Sequence, residues 1–353
     1  MKHVAIDLGR RESQVCAREP AGEIILERRI QTRALGELLE RLEHSRVIVE
    51  SCSAAFTMAD IAKAAGHEPC VVPATLAPSL GVGERQMKND VRDARKLSEA
   101  SCRMTKLPSV HIPSEQSRER KAVCTSREVL VKQRTCAINR VRSYMAEHLL
   151  PDLKRCTVSF VSKVRELLLA LPNGIPAHVE RLLKAIEFLT VQIVDADKEL
   201  KSIASNDPVC KRLMTVPGVG PQTAIRFSAA IDDPKRFDSA AQIYSYLGLT
   251  PGEDTTGFKT RRTGLTRAGA PRVRWVLVQA AWSMWRSRPG DPVVLWAKKI
   301  AARGKASRAI VALARKLAGI LFALWRDGTQ YDPNYESKRR AELERDANTK
   351  IIA

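Results

Sequence analysis

Four acidic residues in the first third of the chain have the types and spacing of a divalent-metal site. Asp90 and Asp93 are three residues apart in the stretch Lys88-Asn89-Asp90-Val91-Arg92-Asp93-Ala94, which predicts the first turn of a helix capped by Asn89 or Asp90. On a helix this spacing puts both carboxylates on one face, with Cβ atoms about 5–6 Å apart. Two like charges held so close repel each other, and a hard divalent cation with carboxylate ligands would relieve that repulsion.

The other two acids, Asp7 and Glu50, each end a short apolar run, in 3–9 and 46–50. Both runs are typical of buried parallel strands, whose C-terminal ends lie at the sheet edge where α/β proteins place their sites. We therefore expect all four acids to converge there and to bind Mg²⁺. Two such ions about 3.5–4 Å apart can activate a nucleophile and stabilise a leaving oxygen on phosphorus. Taken singly, each acid has an ordinary alternative as a turn residue, a cap, a solvated strand end or a chance pair.

The charge of the chain indicates a polyanionic partner. There are 59 Lys and Arg against 39 Asp and Glu, a formal net charge of +20, which favours nucleic acid first and an anionic membrane surface second. The apolar stretch 309–325 carries Arg315 and Lys316 at its centre, so we expect a buried or amphipathic helix and no membrane span. Asp7 interrupts any secretory signal at the start. The 8 cysteines form no Cys-x-x-Cys pair, which disfavours a zinc site or a disulfide framework and favours a cytoplasmic protein.

The elements that must position the acids alternate between strand-like and helix-like segments over residues 1–112. Three early strands followed by alternating units predict an α/β mixed sheet of the RNase H type, although periodicity alone also fits other α/β sheets. Residues 113–205 predict a basic helix and then a coiled-coil arm, because apolar residues from Val179 to Ile203 follow a 3,4,3,4 spacing. That arm is either one helix of an intrachain bundle or a dimerisation or spacer arm. Residues 331–353 predict a charged, frayed tail.

Residues 206–330 predict a mainly α-helical C-terminal domain with two candidate nucleic-acid contacts. The run 213–224 has the Pro-Gly-x-Gly turn of a helix-hairpin-helix, in which Gly218 and Gly220 would let backbone N–H groups approach a phosphate; an ordinary tight turn is the alternative. A basic loop is predicted over Gly252–Gly269. Six cations in or just after that loop are expected to contact phosphates, unless they form only a solvated basic face: Lys259, Arg261, Arg262, Arg267, Arg272 and Arg274. Because aromatic residues make up only 5% of the chain, base stacking is not expected to dominate binding.

One competing interpretation rests on the segment Val4-Ala5-Ile6-Asp7-Leu8-Gly9, which also resembles the first phosphate-binding strand of sugar kinases and actin-like ATPases. Those proteins usually follow the glycine with Ser or Thr and repeat a Gly-rich loop in a second half. This chain has Arg10 and Arg11 instead, so the kinase interpretation is disfavoured.

Several motifs in order resemble the DEDD insertion-sequence transposases, the group numbered one hundred and ten, and the related Piv-type DNA invertases. They are Ala5-Ile6-Asp7, Val49-Glu50, the 88–94 stretch, the 216–220 hairpin, Tyr246-Leu247-Gly248-Leu249-Thr250-Pro251, and Arg267-Ala268-Gly269 followed by Arg272 and Arg274. The resemblance covers nearly the whole chain. It implies a RuvC-like domain whose acid quartet binds Mg²⁺, a coiled-coil arm and a C-terminal transposase domain. It also implies DNA cutting and rejoining guided by a noncoding bridge RNA, in homo-oligomers (dimers or tetramers) with composite active sites.

The sequence departs from that family at the expected nucleophile. The family has a serine just before a glycine in the loop after Leu-Gly-Leu-Thr-Pro, and this chain has Thr256, preceded by Thr255. A threonine hydroxyl can attack phosphorus when a metal or a base activates it, but its β-methyl restricts χ1. We therefore expect an RNA-guided, Mg²⁺-dependent transposase or recombinase with Thr256 as nucleophile or as a purely structural residue. The alternatives are a RuvC-like junction nuclease and a catalytically weakened nucleic-acid-binding relative.

Overall fold

The computed structural model describes residues 1–82, 89–153, 159–172, 174–256, 259–335 and 338. The chain divides into two compact units, Met1–Pro113 and Ser114–Ala353. Lys88, the residues Gly257 and Phe258, and most of the predicted tail lie outside the described residues. The finer division of the chain into four parts stays a prediction.

The first unit is built on a mixed five-stranded sheet with the order β3-β2-β1-β4-β5. Its strands are β1 Lys2–Asp7, β2 Glu12–Arg18, β3 Ile24–Gln31, β4 Ser45–Glu50 and β5 Glu68–Val72. The first three strands form an antiparallel meander, and β4 and β5 join it in parallel with β1. The α/β mixed sheet predicted from the sequence is therefore confirmed.

Helices cover both faces of this sheet. Helices α1 Leu35–Glu40 and α2 Ala55–Ala64 pack on one face, and α3 Asp90–Arg103 packs on the other. Alternate residues of each central strand supply the two cores, as the two-residue period of a strand requires. On β1, Val4 and Ile6 face α1 and α2, while Ala5 belongs to the core that contains Leu97 of α3.

The described residues of the second unit form helices and one β-hairpin. Its helices are α4 Glu115–Glu147, α5 Phe160–Leu169, α6 Ala177–Asn206, α7 Pro208–Leu213, α8 Pro221–Ile231, α9 Ala240–Tyr246, α10 Pro271–Ser287, α11 Pro292–Ala302 and α12 Ala306–Asp327. Every residue of α8 from Thr223 to Ile231 is buried, so this helix forms the centre of the unit. The predicted helical C-terminal region is thus confirmed.

Helix α6 contains the predicted coiled-coil seam. Val179, Ile186, Ile193 and Leu200 of that seam, seven residues apart, are all buried, and α6 packs against α4 of the same chain. This packing fits the intrachain bundle that was one of the two alternatives for the arm. A role of α6 in dimerisation stays a prediction.

The prediction of a loop over Gly252–Gly269 was wrong. Most of it forms a two-stranded antiparallel hairpin, with β6 Pro251–Thr256 and β7 Lys259–Leu265. The sequence Thr255-Thr256 and Lys259-Thr260 contains residues with good strand propensity, but the charged residues around them hid the two-residue alternation. Within the part of the chain that the structure describes, no helix is long and apolar enough to cross a membrane.

Candidate active site

The sheet register brings Asp7 and Glu50 next to each other. Strand β1 pairs in parallel with β4 through Ile6 and Val49, so the next residue of each strand is one of the two acids. Val47 and Val49 face α1 and α2, whereas Ile48 lies in the core under α3. The alternation of side chains therefore puts both carboxylates on the α3 face, at the C-terminal edge of the two strands.

Helix α3 runs along that same face toward the acids. Near its C-terminal end, Ser101 Oγ lies 2.7 Å from Nδ1 of His3, close to the start of β1. Three residues earlier, Ser98 Oγ lies 3.3 Å from Sγ of Cys16, whose strand partner on β1 is Ala5. The N-terminal end of α3 consequently lies over the end of β1, where Asp7 is.

The first turn of α3 carries the aspartate pair. The Asn89 side chain caps the helix by accepting a hydrogen bond of 3.0 Å from the Val91 N–H, as one of the predicted caps. Asp93 is 5% exposed and lies on the buried stripe with Leu97 and Ser101. Acids in a first turn also interact favourably with the helix dipole.

Asp90 is exposed and already has a cationic partner. Its Oδ2 accepts a hydrogen bond of 3.1 Å from Nη2 of Arg29 on β3. Arg29 pairs with Gln14, and Gln14 pairs with Asp7, so the ion pair lies at the level of Asp7 along the sheet. Arg29 and the buried Gln14 lie near the acids, and neither was predicted from the sequence as part of the site. The strand pattern of Glu12–Arg18 could have indicated that Gln14 is buried.

The turn after Asp7 is fixed by close backbone packing. A Cβ at Gly9 would lie 1.9 Å from the Glu12 carbonyl oxygen, so only glycine fits there. The Gly9 N–H donates to Ser13 Oγ at 3.2 Å, and the Thr32 hydroxyl donates to the Gly9 carbonyl at 2.9 Å. These contacts explain the glycine of the Asp-Leu-Gly motif without any ligand.

The donor set fits a hard divalent cation in its chemistry and its placement. All four predicted ligands are carboxylates, which suit Mg²⁺, and they lie on one face at one end of the sheet. As they stand, however, no three His, Cys, Asp or Glu side chains among the described residues are close enough to hold a metal ion together. Asp90 is paired with Arg29 instead. A joint metal site thus stays a prediction.

The second unit positions Thr256 at the last residue of β6. Thr256 is exposed and pairs with Lys259 across the tip of the hairpin. The preceding Thr255 donates its hydroxyl to Oε1 of Glu253 at 3.2 Å. A hydroxyl at an exposed hairpin tip is accessible to a backbone phosphate.

Two of the predicted phosphate-binding cations have partners within the protein. Arg274 donates to the carbonyl oxygens of Leu247 at 3.0 Å and Ala268 at 2.9 Å, so it holds the chain on either side of the hairpin together. Arg272 donates to Thr125 Oγ1 at 2.6 Å and lies 3.5 Å from Oε2 of Glu128.

The other four predicted cations lie on or next to the hairpin. Arg261 is exposed and pairs with Asp254, and Arg267 is exposed with a φ of 55°. For Lys259 and Arg262 the register alone is described, and Arg262 pairs with Glu253. Because Asp254 lies opposite Arg261 in this register, part of the positive charge is balanced within the hairpin.

The two glycines of the turn between α7 and α8 differ in their surroundings. Gly218 has a φ of +86°, and a Cβ there would lie 2.5 Å from the Ala280 carbonyl oxygen of α10. Packing against α10 therefore accounts for this glycine. A Cβ at Gly220 would meet nothing within 4 Å, so Gly220, the cap of α8, is the one with open space for a ligand.

Comparisons with known proteins add family matches to this geometry. A model of DEDD transposases of the IS110 type, described as "Transposase", matches residues 4–149, and a second model, described as "Transposase IS116/IS110/IS902 family", matches residues 210–292. The chain belongs to this transposase family. The first matched region contains all four acids, and the second contains Thr256 and both glycines of the turn.

Transposases of similar length match the chain almost end to end. The transposase for insertion sequence element IS1111A of Coxiella burnetii is 27% identical over 331 residues, which cover 92% of this chain and 89% of that protein. The transposase for IS1328 of Yersinia enterocolitica is 26% identical, covering 93% and 98%, and a probable family 20 transposase of Pseudomonas aeruginosa is 25% identical, covering 94% and 99%. This insertion-sequence transposase is therefore a DNA-acting protein, and its DEDD family implies the use of a divalent metal.

Proposed function

We propose that this transposase cuts and rejoins DNA at a Mg²⁺-dependent centre formed by Asp7, Glu50, Asp90 and Asp93, with Thr256 as the nucleophile. The single observation that supports this proposal best is the shared position of the acids. The parallel register aligns the ends of β1 and β4, and α3 brings its N-terminal turn to the same face and the same edge. Acids from three distant segments of the sequence therefore share one face and one end of the sheet.

Side chains of this protein would supply the metal ligands, and the strands and helix that carry them would hold them in position. Asp93, buried on α3, and Asp7, at the end of β1, are fixed by their elements. Asp90 becomes a ligand once it leaves Arg29. Bound Mg²⁺ would lower the pKa of an attacking group and stabilise charge on the leaving oxygen. In this assignment the first unit is RNase H-like and RuvC-like.

The Thr256 hydroxyl is proposed to attack the scissile phosphorus. A new ester bond forms between Thr256 Oγ and phosphorus, the bond from phosphorus to the sugar oxygen breaks, and the proton released by the hydroxyl returns to that oxygen through solvent. Religation by a sugar hydroxyl of another strand reverses the step and frees Thr256. The β-methyl group restricts χ1, so we expect slower attack than from serine.

The DNA partner is proposed to be held by basic and backbone groups of the second unit, including Arg261, Arg267 and the open backbone at Gly220. In this proposal the turn between α7 and α8 acts as a helix-hairpin-helix. A bridge RNA as guide and a dimer or tetramer with composite sites complete the proposal; both rest on the family resemblance.

The test is a strand-exchange assay with the full chain, Mg²⁺, DNA that carries the element ends, and RNA transcribed from the element's own end. We expect Asp93→Asn to abolish cleavage and Asp60→Asn, an exposed acid of α2, to leave it unchanged. Thr256→Ala should abolish the covalent protein–DNA adduct that denaturing gels detect, while Thr256→Ser should keep or raise it.

The outcomes separate this function from its rivals. Hydrolytic nicks without an adduct, unchanged in Thr256→Ala, would favour a metal-dependent junction nuclease. DNA binding without any cleavage, even in the Thr256→Ser variant, would favour a catalytically weakened binding protein. If removal of the RNA leaves strand exchange unchanged, guidance by RNA is wrong but the assignment of the active site stands.

A further inference from the structure

A basic groove with an exposed tryptophan lies where α11 meets α12. It has a volume of about 420 Å³ and is lined by Trp296, Lys299, Ile300, Arg303, Gly304 and Arg308. Lys299 and Ile300 lie three and four positions after Trp296 on one face of α11, and Arg303 directly follows that helix. The volume is within the range of about 300–1,000 Å³ that is usual for small-molecule sites.

The charge of the groove is of one sign. All three ionisable side chains that line it are cations, and all three are exposed. The surrounding sequence strengthens this bias, because residues 292–326 contain 8 Lys and Arg and no Asp or Glu. The groove also adjoins the start of α12 at Ala306, where the positive end of the helix dipole lies. The occupant that complements this field is an anion.

The tryptophan indicates which anion. Trp296 keeps 38% of its surface exposed although it is large and apolar. Lys316 Nζ lies 5.0 Å from the ring centroid and fixes the indole through a cation–π contact. An aromatic ring next to phosphate-binding cations is the usual platform for an unpaired nucleobase, since every base has a π-face and a duplex hides it.

We propose that this groove binds one unpaired nucleotide of a nucleic-acid strand, with the base stacked on Trp296 and the flanking phosphates held by Lys299, Arg303 and Arg308. The site goes beyond the strand-transfer chemistry proposed above and does not depend on it. Single-stranded DNA and single-stranded RNA offer the same base and phosphate chemistry, so both are candidates as the source. Loops or displaced strands would enter the groove, and intact duplexes would not.

Binding of ten-residue oligothymidine and oligouridine to the full chain tests this proposal, with an abasic deoxyribose-phosphate ten-mer as the probe without bases. We expect Trp296→Ala to weaken binding of the base-bearing probes by about 5- to 150-fold and to leave the abasic probe unaffected. Trp296→Phe should recover most of the affinity because it keeps an aromatic face. Loss of affinity for either base-bearing probe in Trp296→Ala supports the site. A loss confined to the deoxy or to the ribo probe identifies the bound strand as DNA or RNA.

The cations have a different expected signature. Arg303→Gln and Arg308→Gln should weaken all three probes, and each should reduce the slope of log K against log salt by about 0.7 for single strands. Trp275→Ala is the matched aromatic control, because Trp275 is 52% exposed on α10 and does not line the groove. Lys198→Gln on the exposed surface of α6 is the matched charge control.

Crosslinking shows where on the protein the probe binds, which matters because a chain with a net charge of +20 can bind nucleic acid at several places. A ten-mer that carries one 5-iodouracil, irradiated in the complex, should crosslink to the peptide that contains Trp296. Equal weakening of base-bearing and abasic probes by Trp296→Ala would overturn the proposal, and so would crosslinks that never include that peptide. A Trp275→Ala effect as large as that of Trp296→Ala would also contradict it.

Discussion

The carboxylate of Glu128 on α4 offers a quantitative test of how the second unit is held together. Its Oε1 accepts hydrogen bonds from Arg226 at 2.8 Å (Nε) and 2.6 Å (Nη2), and from Gln222 at 3.3 Å. The Arg226 side chain is only 5% exposed and that of Glu128 is 19% exposed. Glu128 thus compensates a guanidinium on α8, the buried helix at the centre of the unit.

Replacing Glu128 by Gln leaves that guanidinium without a counter-charge. Removing one partner of a buried ion pair lowers the free energy of unfolding by about 3–5 kcal/mol. Arg226 keeps a hydrogen bond of 3.2 Å to Thr125, so we expect the low end, about 3 kcal/mol. The double variant with Arg226→Met should recover at least half of that loss, because no buried charge remains.

Urea unfolding followed by tryptophan fluorescence measures this loss. All 5 tryptophans lie between 275 and 325, so the signal reports on the second unit alone. Asp195→Asn is the control, since it removes an exposed ion pair with Lys198 and should cost less than about 0.5 kcal/mol. A loss below about 1 kcal/mol in Glu128→Gln, or one equal to the control, would refute the reasoning.

Three further predictions follow from single contacts. Gly218→Ala should lower the free energy of unfolding of the second unit by at least about 2 kcal/mol, because its φ is +86° and its Cβ would overlap α10, whereas Gly220→Ala should cost little. Arg29→Gln should tighten Mn²⁺ binding by up to about fivefold, because an exposed ion pair that competes for Asp90 is worth about 0.2–1 kcal/mol. The hydrogen bond from Arg95 lowers the pKa of Glu27 below its ordinary 4.5, so this pair stabilises the first unit above that pH and stops doing so as the pH falls through the folded-state pKa.

Each of these three predictions would be contradicted by one result. Equal urea midpoints for the two glycine variants would mean that α10 moves aside at no cost. Mn²⁺ affinity that is unchanged or weaker in Arg29→Gln would show that this arginine does not compete with the metal. Arg95→Gln should flatten the acid limb of a stability-against-pH curve measured by circular dichroism, and a limb of unchanged slope would remove Glu27 from the account.

The mixed sheet and the two strand ends at Asp7 and Glu50 could be predicted from the sequence because they follow from short-range rules. Apolar runs that end in Asp7 and Glu50 gave two parallel strands, and the two-residue period then decides which face each acid takes. The cap and the first turn of α3 were readable for the same reason, since Asn89 acts only on the next few residues.

Hydrogen bonds between side chains and residues far away in the sequence could not be predicted. Nothing near Arg274 in the sequence indicates that it donates to the carbonyls of Leu247 and Ala268, so it was expected to bind phosphate. Arg29 is separated from Asp90 by 61 residues, and only the sheet register brings them together. The low aromatic content of the whole chain argued against base stacking, although all 5 tryptophans lie between residues 275 and 325, a basic region. The position of Trp296 in the groove depends on how α11 and α12 pack, which the sequence does not indicate.

The measurement that tests the central claim most directly is Mn²⁺ binding to the full chain, followed by electron paramagnetic resonance of the free ion. Mn²⁺ takes the same carboxylate ligands as Mg²⁺. The account predicts binding by the native chain, a clear loss in Asp7→Asn and in Asp93→Asn, and no loss in Asp60→Asn. Affinity that is the same in all four proteins would show that the acids at the edge of the sheet do not form one metal site.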